Sequence, residues 1–124
     1  GDEAIDLIYV TLKSDLPIAP EIERMPQTYP NIRMERLLEN GRMIVQRGQV
    51  EPGQWTGIYS HPGNQIYLLI KGGNWSVRRG GVQQTSGYSE AGSVGWFDAV
   101  EQSEGREAGN IGETTIDFVL VTLK

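Results

Sequence analysis

From Arg33 onward the chain is a succession of short apolar runs, each soon closed by Gly, Pro, Asn or Ser, and this rhythm restricts the fold more than any other feature. The clearest unit is residues 34–38, then Glu39-Asn40-Gly41, then residues 43–50. Asn-Gly between two such runs signals a hairpin, because both residues tolerate the positive φ of a type I′ turn. Further strands are predicted at residues 54–59, 65–70, 75–79 and 94–97. Residues 4–12 (AIDLIYVTL) and 115–123 (TIDFVLVTL) have the same β-branched character and read as partly buried strands. Between residues 17 and 30 four prolines break any pattern, which predicts a loop laid over the remainder as a lid or a connection. Almost no helix is expected, and so many short strands mean a β-sandwich or a closed barrel.

A chain of 124 residues, 38% hydrophobic, suits a single domain, with residues 1–32 as an N-terminal strand and Pro-rich loop and residues 33–124 as the barrel. Its sixteen glycines and six prolines are scattered rather than gathered in a tract, as tight turns require. The net charge of −5 has the wrong sign for a surface that gathers phosphates, so no nucleic-acid partner is expected. The absence of cysteine removes disulfides, thiolate nucleophiles and cysteine-ligated metals. No apolar stretch approaches the roughly 20 residues of a membrane helix, and the expectation is a soluble, cytoplasmic bacterial protein with no membrane partner. Gly1 fits either a tag remnant or a processed end.

Gly53, Tyr59, His61, Gln65 and Gly72 fall at the spacing of the first signature of the cupin superfamily, whose three middle positions are His, His and Glu. Glu51-Pro52-Gly53 resembles its usual opening, and the run from Gln65 through Tyr67 to Gly72 resembles its second strand. A second signature starts at Gly92, places Asp98 where the family has Pro, and puts Ser103 at the last His, with Gln102 and Glu104 as alternatives. Asn110-Ile111-Gly112 resembles the Asn-x-Gly that follows. The resemblance covers roughly residues 43–124. It implies an all-β double-stranded β-helix, the cupin jelly-roll barrel of two antiparallel sheets, with a degenerate metal motif.

Cupins bind divalent first-row metals through three His and one Glu. Here only His61 survives, and neutral Tyr59, Gln65 and Ser103 are poor ligands, so no metal or other cofactor is expected. The alternative is a weak divalent site at His61 completed by Glu101 or Glu104. Strand alternation places Tyr59 and His61 on one face and Gln65, Tyr67 and Leu69 on one face of the next strand, so the family geometry would aim Tyr59, His61 and Gln65 into the barrel mouth. His61, with its near-neutral pKa, is then the candidate acid or base, oriented by Tyr59 and Gln65. Tyr67, Trp96, Glu101, Ser103 and Glu104 are the candidate ligand contacts. Trp55, Trp75, Tyr88 and Phe97 could line the same pocket or be core, and Arg78-Arg79 could fork an anion or cap a solvated hairpin.

Three functional readings follow from the resemblance: a metal-independent isomerase, cyclase or lyase using His61; a non-catalytic binding or sensing module; or a metal-dependent oxidoreductase or isomerase with an atypical site. The resemblance also implies a homodimer, and an exposed strand edge at residues 4–12 gives that a physical reason.

Overall fold

Among the described residues eight strands run in chain order: β1 (Met34–Glu39), β2 (Met43–Val50), β3 (Gln65–Lys71), β4 (Gly73–Arg79), β5 (Val82–Ser89), β6 (Val94–Phe97), β7 (Arg106–Asn110) and β8 (Ile116–Leu123). The structure is a computed structural model and describes residues 4–11, 29–60, 63–99 and 104–124. A five-stranded sheet has the order β1-β2-β8-β3-β6 and a three-stranded sheet the order β5-β4-β7. Every pairing is antiparallel, and no helix occurs among the described residues.

Strand β8 organises the larger sheet because it pairs with β2 on one side and β3 on the other. Its alternation sends Ile116, Phe118, Leu120 and Thr122 toward the small sheet, and Asp117, Val119, Val121 and Leu123 outward. Burial of Leu120, only 2% exposed, contributes about 1.5–3 kcal/mol on its own. Ile32, Val50 and Ile116 form the buried centre, with Tyr29, Met34, Leu69, Trp75 and Phe118 packed on it. The largest fully buried side chains are polar, Gln65, Asn110, Thr122, Asp117 and Ser76, so internal hydrogen bonds matter as much here as apolar packing.

The two glycine-containing hairpins turn by different means. Gly80 and Gly81 both have positive φ, 57° and 80°, and join β4 to β5. The β1–β2 connection forms as expected, yet neither Asn40 nor Gly41 is among the positive-φ residues, so the type I′ expectation fails. Instead the Asn40 side chain does the turning: Oδ1 accepts from the backbone N–H groups of Arg42 and Met43, at 2.8 and 3.0 Å.

Two expected strands are absent. Residues 4–11 join no ladder, and Ile5 and Tyr9 stand 82% and 85% exposed; Leu12 lies outside the described residues. Residues 54–59 make only an isolated bridge, Trp55 to Gly109, because Gly53 and Gly57 at φ 81° and 77° turn the chain away from extended geometry. Conversely β5 and β7 form where the sequence pattern predicts no strand, since polar VQQTSGYS and REAGN carry little apolar alternation.

Asn110, fully buried, holds the approach to β8. Its amide donates to the carbonyls of Val50 and Thr114, and its Oδ1 accepts from Gly112 N–H. The Asn-x-Gly element is thus a brace between β7 and β8, anchored by its buried Asn110.

Candidate ligand site between the sheets

The two sheets flank a partly open cavity of about 350 Å³. Tyr67, Leu69, Phe97, Phe118 and Leu120, from inward positions of β3, β6 and β8, form one wall. Trp75, Val77, Ser89 and Ala108, from β4, β5 and β7, form the other, and Tyr29, Thr56 and Tyr59 close it. Protein interiors packed at native density do not leave voids of this size, whereas ligand clefts begin at about 300 Å³. No described charged side chain lines the cavity.

The polar groups in and behind the wall are largely committed to one another. Tyr29 stacks on Tyr59 with ring centroids 5.5 Å apart. Its hydroxyl donates to Gln65 Oε1 at 3.1 Å, and Gln65 Nε2 donates to Thr122 Oγ1 at 2.9 Å. Burial, reinforced by the neighbouring Tyr59, pushes the Tyr29 phenol well above its ordinary 10.0, so it is a neutral group at physiological pH. Thr56 donates to Gly57 O and accepts from Ala108 N–H. Ser89 Oγ accepts from the Trp75 indole N–H at 2.9 Å.

The structure separates the sequence candidates. Tyr59 and Tyr67 stand on the cavity wall, and Tyr67 stacks against Phe97 at 4.8 Å. Gln65 does not reach the cavity: it is fully buried behind the wall with both ends of its amide engaged. Trp96 stands off the cavity wall. It follows Gly95 and precedes Phe97, so alternation turns it to the outer face, where it is 51% exposed and donates to Asp98. Glu104 is likewise away from the cavity, in an exposed turn with φ 56°. His61, Glu101, Gln102 and Ser103 lie outside the described residues.

Of the remaining aromatic and basic candidates, Trp75 and Phe97 line the cavity and Tyr88 is exposed. Arg78 neither forks an anion nor sits free. It lies 3.8 Å over the Trp55 ring and pairs with Glu107. Sequence reasoning missed Tyr29, which lies in a segment without periodicity. It also missed Thr56 and Ser89, whose hydroxyls carry no pattern. Phe118 was recoverable from the alternation of β8.

The two described members of the donor set, Tyr59 and Gln65, are poor matches to the His and Glu of the metal centre that the cupin resemblance implies. The Gln65 oxygen accepts from Tyr29 and its amide nitrogen donates to Thr122, while the Tyr59 ring is stacked on Tyr29. Among the described residues no group of three His, Cys, Asp or Glu could hold an ion.

Eight antiparallel strands in two facing sheets around a central cavity define a double-stranded β-helix, the fold of the cupins. Comparison with solved structures agrees. A cupin domain from Bordetella pertussis Tohama I superposes with TM-score 0.65 at 17% identity, covering 77% of this chain and 95% of that one. An uncharacterized conserved protein with a double-stranded β-helix domain from Klebsiella pneumoniae gives 0.58 at 20% identity, over 88% and 90%. An RmlC-like cupin family protein from Methanocaldococcus jannaschii gives 0.57 at 12%, over 91% and 93%. No family model matches the chain, and neither does any curated protein sequence. No helix among the described residues is long and apolar enough to cross a membrane.

Proposed function

We propose that this chain is a binding protein for a small organic molecule held between its two sheets, with no resident metal. The supporting observation is the 350 Å³ cavity walled by side chains from seven strands and their connections, with Gln65 withdrawn from the position of a metal ligand. Thermal-shift screening of metabolites tests the reading, since a ligand that binds only the folded state raises its stability. Hits are expected to change Trp75 fluorescence, and a broad screen in which no stabilising compound perturbs Trp75 overturns it. Elemental analysis of protein purified without added metal is expected to find none in stoichiometric amount; one ion per chain refutes the metal-free part.

A second reading, metal-independent isomerase, cyclase or lyase chemistry, is favoured by one observation: Tyr59 stands on the cavity wall two positions before His61. With a ligand in hand, His61→Ala separates the two. Absence of turnover in the wild type leaves a binding module, unchanged turnover in the variant removes His61 from the chemistry, and a loss of orders of magnitude at unchanged affinity makes His61 catalytic.

The reading extends to a homodimer. Val119 and Val121 of β8, Ile66 and Leu68 of β3, and Val94 and Trp96 of β6 share the outer face of the large sheet, an apolar surface suited to a second copy. Light scattering is expected to give twice the chain mass, and one chain mass refutes it.

A further inference from the structure

The chemistry of the cavity wall narrows the ligand class. We infer that the cavity selects an uncharged, ring-bearing molecule with a hydrogen-bond acceptor at its rim, and disfavours carboxylates, phosphates and ammonium compounds; this rests on the binding reading above.

Three observations carry it. First, the wall holds ring faces rather than charges: Tyr29, Tyr59, Tyr67, Phe97, Trp75 and Phe118 meet there, and no described Asp, Glu, Lys or Arg does. A charged ligand would lose its hydration without a counter-charge, whereas flat apolar surfaces stack favourably. The phenol of Tyr29 is neutral at physiological pH, as any tyrosine is at its ordinary 10.0, and burial raises it further, so it supplies no anion to balance a cation.

Second, two hydroxyl groups of the wall hold uncommitted protons among the described residues. Thr56 spends its proton on Gly57 O and its lone pair on Ala108 N–H, and Tyr29 spends its proton on Gln65. Ser89 accepts from Trp75, which leaves its own proton uncommitted among the described residues. Tyr67 stacks on Phe97 without a hydrogen bond from its hydroxyl to any described residue. Both open points are O–H donors, so the matching ligand group is an acceptor such as a carbonyl, ether or hydroxyl oxygen.

Third, the volume is that of more than one ring. A cavity of about 150 Å³ accommodates benzene. The space here is 350 Å³, enough for a fused bicycle with a substituent. The chain's net charge of −5 further disfavours anions.

The test uses 1-naphthol against 1-naphthoate, which share a ring system and differ in charge, on the full chain by calorimetry. Val77→Phe fills the cavity, and Tyr67→Phe keeps the ring while deleting one open donor. Saturable binding of 1-naphthol is expected, lost in Val77→Phe, with 1-naphthoate at least tenfold weaker. In Tyr67→Phe, which preserves shape and folds whether or not Val77→Phe does, affinity for 1-naphthol is expected to fall about fivefold, the worth of one neutral hydrogen bond. If 1-naphthoate binds as well as 1-naphthol and Val77→Phe or Tyr67→Phe weakens it, the ligand class is wrong while the cavity reading stands. If 1-naphthol fails to bind up to its solubility limit, the class is also wrong. If 1-naphthol binds equally to all three proteins, it sits elsewhere, and both the class and the cavity reading are overturned.

Discussion

The hydroxyl of Tyr29 donates to Gln65 Oε1 at 3.1 Å, a contact that bridges 36 residues of sequence and ties the end of the proline-rich segment to β3. Gln65 is fully buried and its Nε2 is committed to Thr122, so Tyr29 is the described donor that satisfies its carbonyl. Deleting that donor leaves a buried acceptor unpaired. Tyr29→Phe is therefore expected to cost about 1–3 kcal/mol although the ring still stacks on Tyr59. Urea unfolding checks this, and an unchanged midpoint would show that Gln65 finds another partner.

The same phenol gives an alkaline signature. Its folded pKa lies above the ordinary 10.0, chiefly through burial, so the folded state holds the proton more tightly than the unfolded state. The stabilisation is complete below 10.0 and is lost as pH rises beyond it toward the folded value. Tyrosinate absorbance should show one phenol of the wild type ionising late, on the limb where the protein unfolds. In Tyr29→Phe that late step is expected to vanish.

Acid stability depends on Asp117 of β8. Its carboxylate accepts from Arg47 Nε at 2.9 Å, from Arg47 Nη2, and from Gln49 Nε2 at 3.1 Å. The Arg47 bonds hold its pKa below the ordinary 3.8, so the unfolded chain binds this proton more readily than the folded one. Its contribution is complete above 3.8 and lost as pH falls through the lower folded value. Asp117→Asn should destabilise by about 1–3 kcal/mol at neutral pH, and the gap to wild type should narrow well below 3.8. A gap independent of pH would assign the loss to packing instead.

The sequence made the framework legible where one physical signal dominated. The short apolar runs closed by turn residues at 34–39, 43–50, 65–70 and 116–123 are strands; the signature spacing from Gly53 to Gly72 carried the barrel. The site was harder to read. Trp96 and Phe97 are adjacent aromatics, and only the register against β3 reveals which one faces inward. Gln65 stands at a ligand position by count, yet Tyr29, from a segment with no periodicity, claims its oxygen. Such contacts between distant segments leave no mark on local pattern.

Gly95 is demanded by Tyr67. A Cβ at this position would collide with the Tyr67 ring, so the ring would have to leave its place over β6 and its stack on Phe97. Gly95→Ala is expected to cost about 1–3 kcal/mol by overpacking and to weaken near-ultraviolet circular dichroism from the disturbed tyrosine. An alanine variant with wild-type stability and spectrum would mean that β6 shifts outward without cost.

Gln46, on the inner face of β2 opposite Leu120, is 8% exposed, and its Oε1 has no hydrogen-bond partner among the described residues. A buried carbonyl without a donor costs desolvation that nothing returns, and methionine has nearly the same length and flexibility without the amide. Gln46→Met is thus expected to raise stability by about 1 kcal/mol, against the usual trend of core substitutions. Thermal and urea unfolding measure it. A loss of similar size would overturn this account, because it would mean that the Gln46 oxygen is satisfied in solution and that the amide is a working part of the barrel end.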